Sequence, residues 1–155
     1  MSEETKEAHV AKRVETAITA GLAGADWASR QGCARLASAY NGIGPAFLPE
    51  SVRARVTSFL VLFEPAALIH DMRFASSDGT RAGFEAANSE FLDNCFALAD
   101  RAYPWYNWKR YRARAAAAGL YDAVSSVFGW RSWEESGARG WAEVKASLTN
   151  EKETP

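Results

Sequence analysis

Two apolar-periodic stretches joined by the short turn Ser76-Ser77-Asp78-Gly79 constrain this chain more than any other feature. In the first stretch, Phe63, Ala67, His70 and Phe74 recur every three or four residues and share one helical face. In the second, from Arg81 to Arg101, the residues Phe84, Phe91, Leu92, Cys95, Leu98 and Ala99 form a longer stripe of the same kind. Pro65 suits the first turn of a helix that runs to about Phe74. Two helices joined so closely pack antiparallel. The fold class that follows is all-α.

A polar residue interrupts each stripe: His70 in the first, Asn88 in the second. A buried polar group costs on the order of 1–3 kcal/mol unless it finds a partner. Across an antiparallel pair, His70 and Asn88 satisfy each other most economically. Asp71 points about 100° further round the helix than His70. The plain reading is a structural His–Asn hydrogen bond in a helical core. The functional reading is a histidine held in one tautomer by a side-chain acceptor, beside a carboxylate and near a glycine loop. Such a group suits a general base that activates water next to a hard cation.

The rest of the chain fits one domain over residues 1–150, followed by a polar tail at 151–155. Glu3 to Ala39 reads as an N-terminal helical extension, with Val10, Val14, Ala17, Ile18 and Leu22 at helical spacing. Gly21 and Gly24 weaken or break it, and Asp26 caps a second helix through Ala39. Asn41-Gly42, Gly44-Pro45 and Pro49 make a loop. Val52 to Ser58 alternates apolar and polar residues, as a short strand does. A further helix is predicted from Trp108 to Phe128, with Gly119 as a weak point and Gly129 as a stop.

The formal net charge is -1, which favours neither nucleic acid nor an anionic membrane for the chain as a whole. Two cysteines, Cys33 and Cys95, are too few for a disulfide-built secreted domain and are expected to stay reduced. Met1 to Glu7 is acidic and polar, unlike a signal peptide. No apolar run reaches the roughly 18 residues that a bilayer span needs. The expected location is the cytoplasm, or a particle assembled there.

Three segments occur in a telling order: Asn41-Gly42-Ile43-Gly44-Pro45, Ala67-Leu68-Ile69-His70-Asp71, and Ala87-Asn88-Ser89-Glu90-Phe91-Leu92-Asp93-Asn94. A tyrosine-containing stretch, Tyr121 to Trp133 with Phe128-Gly129, follows. In this order and spacing, over roughly residues 40–133, they resemble the phospholipase A₂ superfamily, above all its compact bacterial and phage-borne members. The resemblance implies that His70 takes a proton from water attacking the sn-2 ester. It implies that Asp71 holds Ca²⁺ together with the backbone carbonyls of Gly42, Gly44 and Ala46, and that the ion acts as a Lewis acid. Two departures stand out. The family's paired loop and helix cysteines fall on Ile43 and Ala67. Asn88 stands where the family has the aspartate that orients the catalytic histidine. Asparagine still accepts a hydrogen bond but cannot stabilise an imidazolium by charge; in a Ser-His-Asp triad that change costs about 10⁴ in rate.

The stretch from Arg101 to Arg114 has five basic residues and no acid, interleaved with Tyr103, Trp105, Tyr106, Trp108 and Tyr111. Trp105, Trp108, Lys109, Arg110 and Arg112 suit a phospholipid membrane surface. The same composition also fits phosphate contacts and base stacking on nucleic acid, or core aromatics beneath a solvated basic face. Trp130, Trp133 and Trp141 are expected as core anchors or a partner surface, His9 as a solvated residue, and Asp78-Gly79 as a plain turn. Zinc-ligand spacing, a phosphate-binding loop and a nucleophile elbow are all missing from the sequence. Two functions remain: a calcium-dependent phospholipid esterase weakened by Asn88, or a catalytically silent domain of that fold serving as a structural or adaptor component of a phage particle or protein complex.

Overall fold

A computed structural model of the chain describes the backbone at residues 3–40 and 59–150, and the side chains at 5–40 and 59–140. The described elements are α1 (Glu3–Thr19), α2 (Ala25–Ser29), α3 (Cys33–Ala39), α4 (Leu60–Ala75), α5 (Arg81–Ala102), α6 (Trp108–Val124) and α7 (Val127–Asn150). The fold is all-α, with no strand among the described residues. The short strand expected at Val52–Ser58 and the loop at Asn41–Pro49 lie outside the described residues, as does the tail at 151–155.

α4 and α5 are antiparallel. Contacts pair Phe59 with Tyr103, His70 with Asn88 and Phe74 with Phe84, so one chain rises as the other falls. The turn between them is built as its residues dictate. Asp78 Oδ1 accepts from Thr80 N at 2.8 Å, Gly79 takes φ 71°, and Thr80 Oγ1 caps α5 by accepting from Gly83 N at 3.0 Å. α6 lies antiparallel on the other side of α5. Asp100 accepts from Arg110 at 2.6 Å and Arg114 at 2.8 Å, while the small buried faces of Ala113, Ala116 and Ala117 let the two helices close up.

The core runs through α1, α3, α4, α5 and α6, with Val10, Leu36, Phe63, Leu68, Met72 and Leu120 fully buried. A second apolar cluster, Phe84, Ala87 and Trp133 with Phe74 and Trp130 against it, docks α7. α7 touches the α4–α5 turn at two points. Ser77 Oγ donates to the carbonyl of Trp133 at 2.7 Å, and a Cβ on Gly137 would come within 2.6 Å of the Gly79 backbone. Trp133 is therefore a core anchor; the side chain of Trp141 lies outside the described residues.

Several boundaries differ from the sequence reading. α4 begins at Leu60, so Pro65 sits inside the helix and not in its first turn. Burial of Phe59 and Phe63 rewards the extra turn despite the N–H that proline lacks. The second N-terminal helix is two pieces, α2 and α3, broken at Gly32 with φ 82°. Gly24, with φ 78°, takes the N-cap position expected of Asp26, which sits in the first turn. The helix from Trp108 ends at Val124, and Ser125-Ser126 make the break. Gly129 does not stop a helix. It lies in α7, where a Cβ would overlap the carbonyl oxygen of Val124.

Candidate functional site

His70 lies on α4 and Asn88 on α5, two turns of chain either side of the α4–α5 connection brought face to face by the antiparallel packing. His70 Nε2 and Asn88 Oδ1 are 2.9 Å apart. With a carbonyl oxygen facing the ring, Nε2 carries the proton and donates, which leaves Nδ1 with its lone pair. The pairing of stripes is thus realised through Nε2. Asn88 is almost wholly buried, and its Nδ2 has no hydrogen-bond partner among the described residues.

The imidazole is only 7% exposed and sits between two phenyl rings, Phe74 at 4.4 Å and Phe91 at 4.8 Å between centroids. It lies where the main core and the Trp133 cluster meet. Burial pushes its pKa down to about 4, against which the Asn88 hydrogen bond pulls only partly upward. At neutral pH His70 is a neutral imidazole, the form that can accept a proton.

Asp71 points elsewhere. Its charge, with that of Glu64, reaches the phenol of Tyr40, which burial first and then these carboxylates raise to about 12, with Arg13 opposing. Tyr40 in turn stacks on His9, and Glu64 pairs with Arg13 and lies 3.8 Å from His9 Nε2. His9, expected to be solvated, is therefore half-buried in this cluster. The His70 and Asp71 side chains accordingly leave α4 about 100° apart, one toward Asn88 and the other on the side of Tyr40. The proposed loop ligands Gly42, Gly44 and Ala46 lie outside the described residues. Among the described residues no three His, Cys, Asp or Glu side chains converge as a metal site. Asp71 thus offers one hard carboxylate, and a cation there would depend on carbonyl or water oxygens for the rest of its shell.

One turn beyond the His70–Asn88 pair, Arg73 grips Glu90 through two hydrogen bonds of 3.0 and 2.9 Å and lies 4.0 Å over the Trp27 ring. The bidentate pair joins α4 to α5, and the contact of Arg73 with Trp27 brings α2 against that hairpin. Sequence reasoning also missed Asn94. It is buried on α5, where Oδ1 accepts from Ala23 N at 2.8 Å and Nδ2 donates to Ala23 O at 3.0 Å. Asn94 lies three residues after Phe91 and four before Leu98, so its place on the stripe was readable from spacing.

The buried histidine makes stability depend on pH. The unfolded chain protonates this residue below about pH 6.5, while the folded chain resists until about pH 4. The unfolded state binds more protons across that window, so acidification from pH 6.5 to 4 removes up to about 3 kcal/mol. Asp78 and Asp100, whose carboxyls backbone and arginine hydrogen bonds hold below the usual 3.8, lose their contributions only at lower pH. Urea unfolding between pH 7 and 4.5 is expected to be steeper in pH for the wild type than for His70→Gln. Equal slopes would show that His70 is not buried in its neutral form.

Compared with known proteins, the chain matches no family model, no curated protein and no solved structure.

Proposed function

We propose that this chain is a phospholipase A₂-like esterase with a weakened dyad, hydrolysing the sn-2 ester of phospholipids. The observation that carries this reading is the His70 Nε2–Asn88 Oδ1 hydrogen bond, joining two antiparallel helices with Asp71 next in sequence. The orienting bond sits on Nε2, so Nδ1 is the nitrogen that would take a proton from water. Asn88 fixes the ring and its tautomer without adding charge. Burial between Phe74 and Phe91 keeps the ring neutral and excludes bulk water from its faces. Asp71 and the carbonyls of Gly42, Gly44 and Ala46 would hold Ca²⁺, which when bound would polarise the ester carbonyl and stabilise the oxyanion.

A second reading has its own support. A histidine pushed down to about 4 is a feeble base, and Asn88 supplies no charge to correct it. This favours a silent domain of the same fold, a structural or adaptor component of a phage particle or protein complex. The two readings separate on one assay. Fatty-acid release from liposomes is expected with Ca²⁺, to vanish with chelator, and to fall to background in His70→Ala. Absence of release under every condition supports the silent domain, and release that persists in His70→Ala excludes His70 as the base.

A further inference from the structure

Four helix ends meet at one pole of the bundle. Arg101 on α5 donates to the carbonyl of Thr19, the last residue of α1, at 2.8 Å. Phe59, just before α4, meets Tyr103, just after α5, edge-on at 6.3 Å. Asn107 caps α6 there by accepting from Lys109 N at 2.9 Å. The C-terminal ends of α1 and α5 and the N-terminal ends of α4 and α6 are thus gathered together.

Among the described residues the same pole carries most of the exposed large apolar side chains. Among the described residues eight large hydrophobic side chains are exposed, and six belong to these ends: Ile18, Val61, Trp105, Tyr106, Trp108 and Tyr111. Trp105 and Tyr106 are 72% and 73% exposed, far beyond what a solvated turn requires. Four of the six are Trp or Tyr, rings with an apolar body and a polar edge, which sit well at a lipid–water boundary. A groove of about 400 Å³ opens beside them, walled by Leu62, Leu98, Ala20 and Ala102 with Glu15 and Arg101 among its polar residues.

Besides Glu15 in the groove, the charges at this pole divide into two sets. Arg110 and Arg114 share the single carboxylate of Asp100, which offsets one of their two charges. Lys109 and Arg112 have no ion-pair partner among the described residues, and Arg112 lies 4.9 Å over the Trp108 ring. These two, with Arg101, leave the aromatic face cationic although the whole chain has net charge -1.

We propose that this pole docks the protein end-on to the surface of an anionic lipid bilayer. Exposed aliphatic residues at Val61 and Ile18 have no use in base stacking, and three cations make no track along a phosphate backbone; both fit a bilayer surface better than a nucleic acid. No described helix is long and apolar enough to cross a membrane, so the contact is interfacial. The inference names the lipid partner of the proposed esterase and rests on that reading for its purpose, but docking is measured apart from hydrolysis. Val61 and His70 are nine residues apart on α4, roughly 14 Å along the axis, so changes at the pole leave the dyad untouched.

The test is co-sedimentation of the full chain, and of His70→Ala, with phosphatidylcholine vesicles made with and without phosphatidylglycerol. Both proteins are expected to bind the anionic vesicles and to bind much more weakly to the neutral ones. Each of Lys109→Gln and Arg112→Gln is expected to weaken binding about fivefold, and the double variant Trp105→Ala with Trp108→Ala to abolish it. Val127→Asp, at the α6–α7 junction, is the control and is expected to bind as the wild type does. Trp105, Trp108, Lys109, Arg112 and Val127 are all exposed, so helical circular dichroism should not change in these variants. Failure of the wild type to sediment with anionic vesicles overturns the proposal, as does equal binding by the charge and aromatic variants. Binding of single-stranded DNA, lost in the same variants without vesicle binding, overturns it in favour of nucleic acid. Vesicle binding by His70→Ala without hydrolysis by the wild type upholds docking while rejecting the esterase.

Discussion

For the proposed esterase, Asn88→Asp is expected to raise the rate of phospholipid hydrolysis by a factor on the order of 10², bounded by the roughly 10⁴ that a charged orienting partner contributes in a Ser-His-Asp triad. The lower figure follows from the geometry. Asn88 Oδ1 already fixes the histidine through Nε2 at 2.9 Å, so the tautomer is correct and only the charge is missing. A carboxylate in its place would lift the His70 pKa from about 4 and stabilise the imidazolium that forms as water loses its proton. It would also replace the amide nitrogen that has no partner among the described residues. The cost is a charge in a buried position, on the order of several kcal/mol of stability at neutral pH. Initial rates on anionic liposomes, set beside denaturant unfolding of the same variant, separate the two effects. An unchanged rate in a folded variant would mean that Asn88 has only a structural role.

Trp133→Ala carries the largest expected loss of stability. The indole meets Phe74 edge-on at 5.1 Å and Phe84 at 6.2 Å, and it is 4% exposed. Its removal empties the centre of the smaller cluster and is expected to cost about 3–5 kcal/mol. For a domain of this size that lowers Tm by about 10 °C or more. The damage reaches the site as well, because Phe74 is also the ring that lies 4.4 Å from His70. Thermal unfolding by circular dichroism is the readout. A Tm within a degree or two of the wild type would mean that α7 does not dock where Trp133 places it.

The parts of the site that sequence made legible were those set by helical period. His70 and Asn88 interrupt apolar stripes, and two stripes joined by a Ser-Ser-Asp-Gly turn have few ways to meet, so their pairing followed from spacing and the cost of an unpartnered polar group. The antiparallel pair, the turn and the extent of α5 were readable for the same reason. Asn94 was overlooked although it obeys the same period, because its partner is the backbone of Ala23, 71 residues away, which leaves no trace in side-chain pattern. Glycines misled in both directions. Gly129 looks like a stop but serves a close approach to the Val124 carbonyl, while Gly32 breaks a stretch that composition alone would continue. Pro65 was misplaced because burial of Phe59 and Phe63 outweighs its local preference. The charge state of His70 could not be read from residues in a row, since two phenyl rings from different helices create it.

In the proposed esterase His70, oriented by Asn88, would serve water attack on the sn-2 ester of a phospholipid. The most direct test is hydrolysis of a phosphatidylglycerol carrying different acyl chains at sn-1 and sn-2, with the products resolved by mass spectrometry. With Ca²⁺ present, slow release of the sn-2 acid alone is expected, with the sn-1 lysophospholipid as its partner product. Release of the sn-1 acid, or of neither acid by wild type and Asn88→Asp alike, would contradict it.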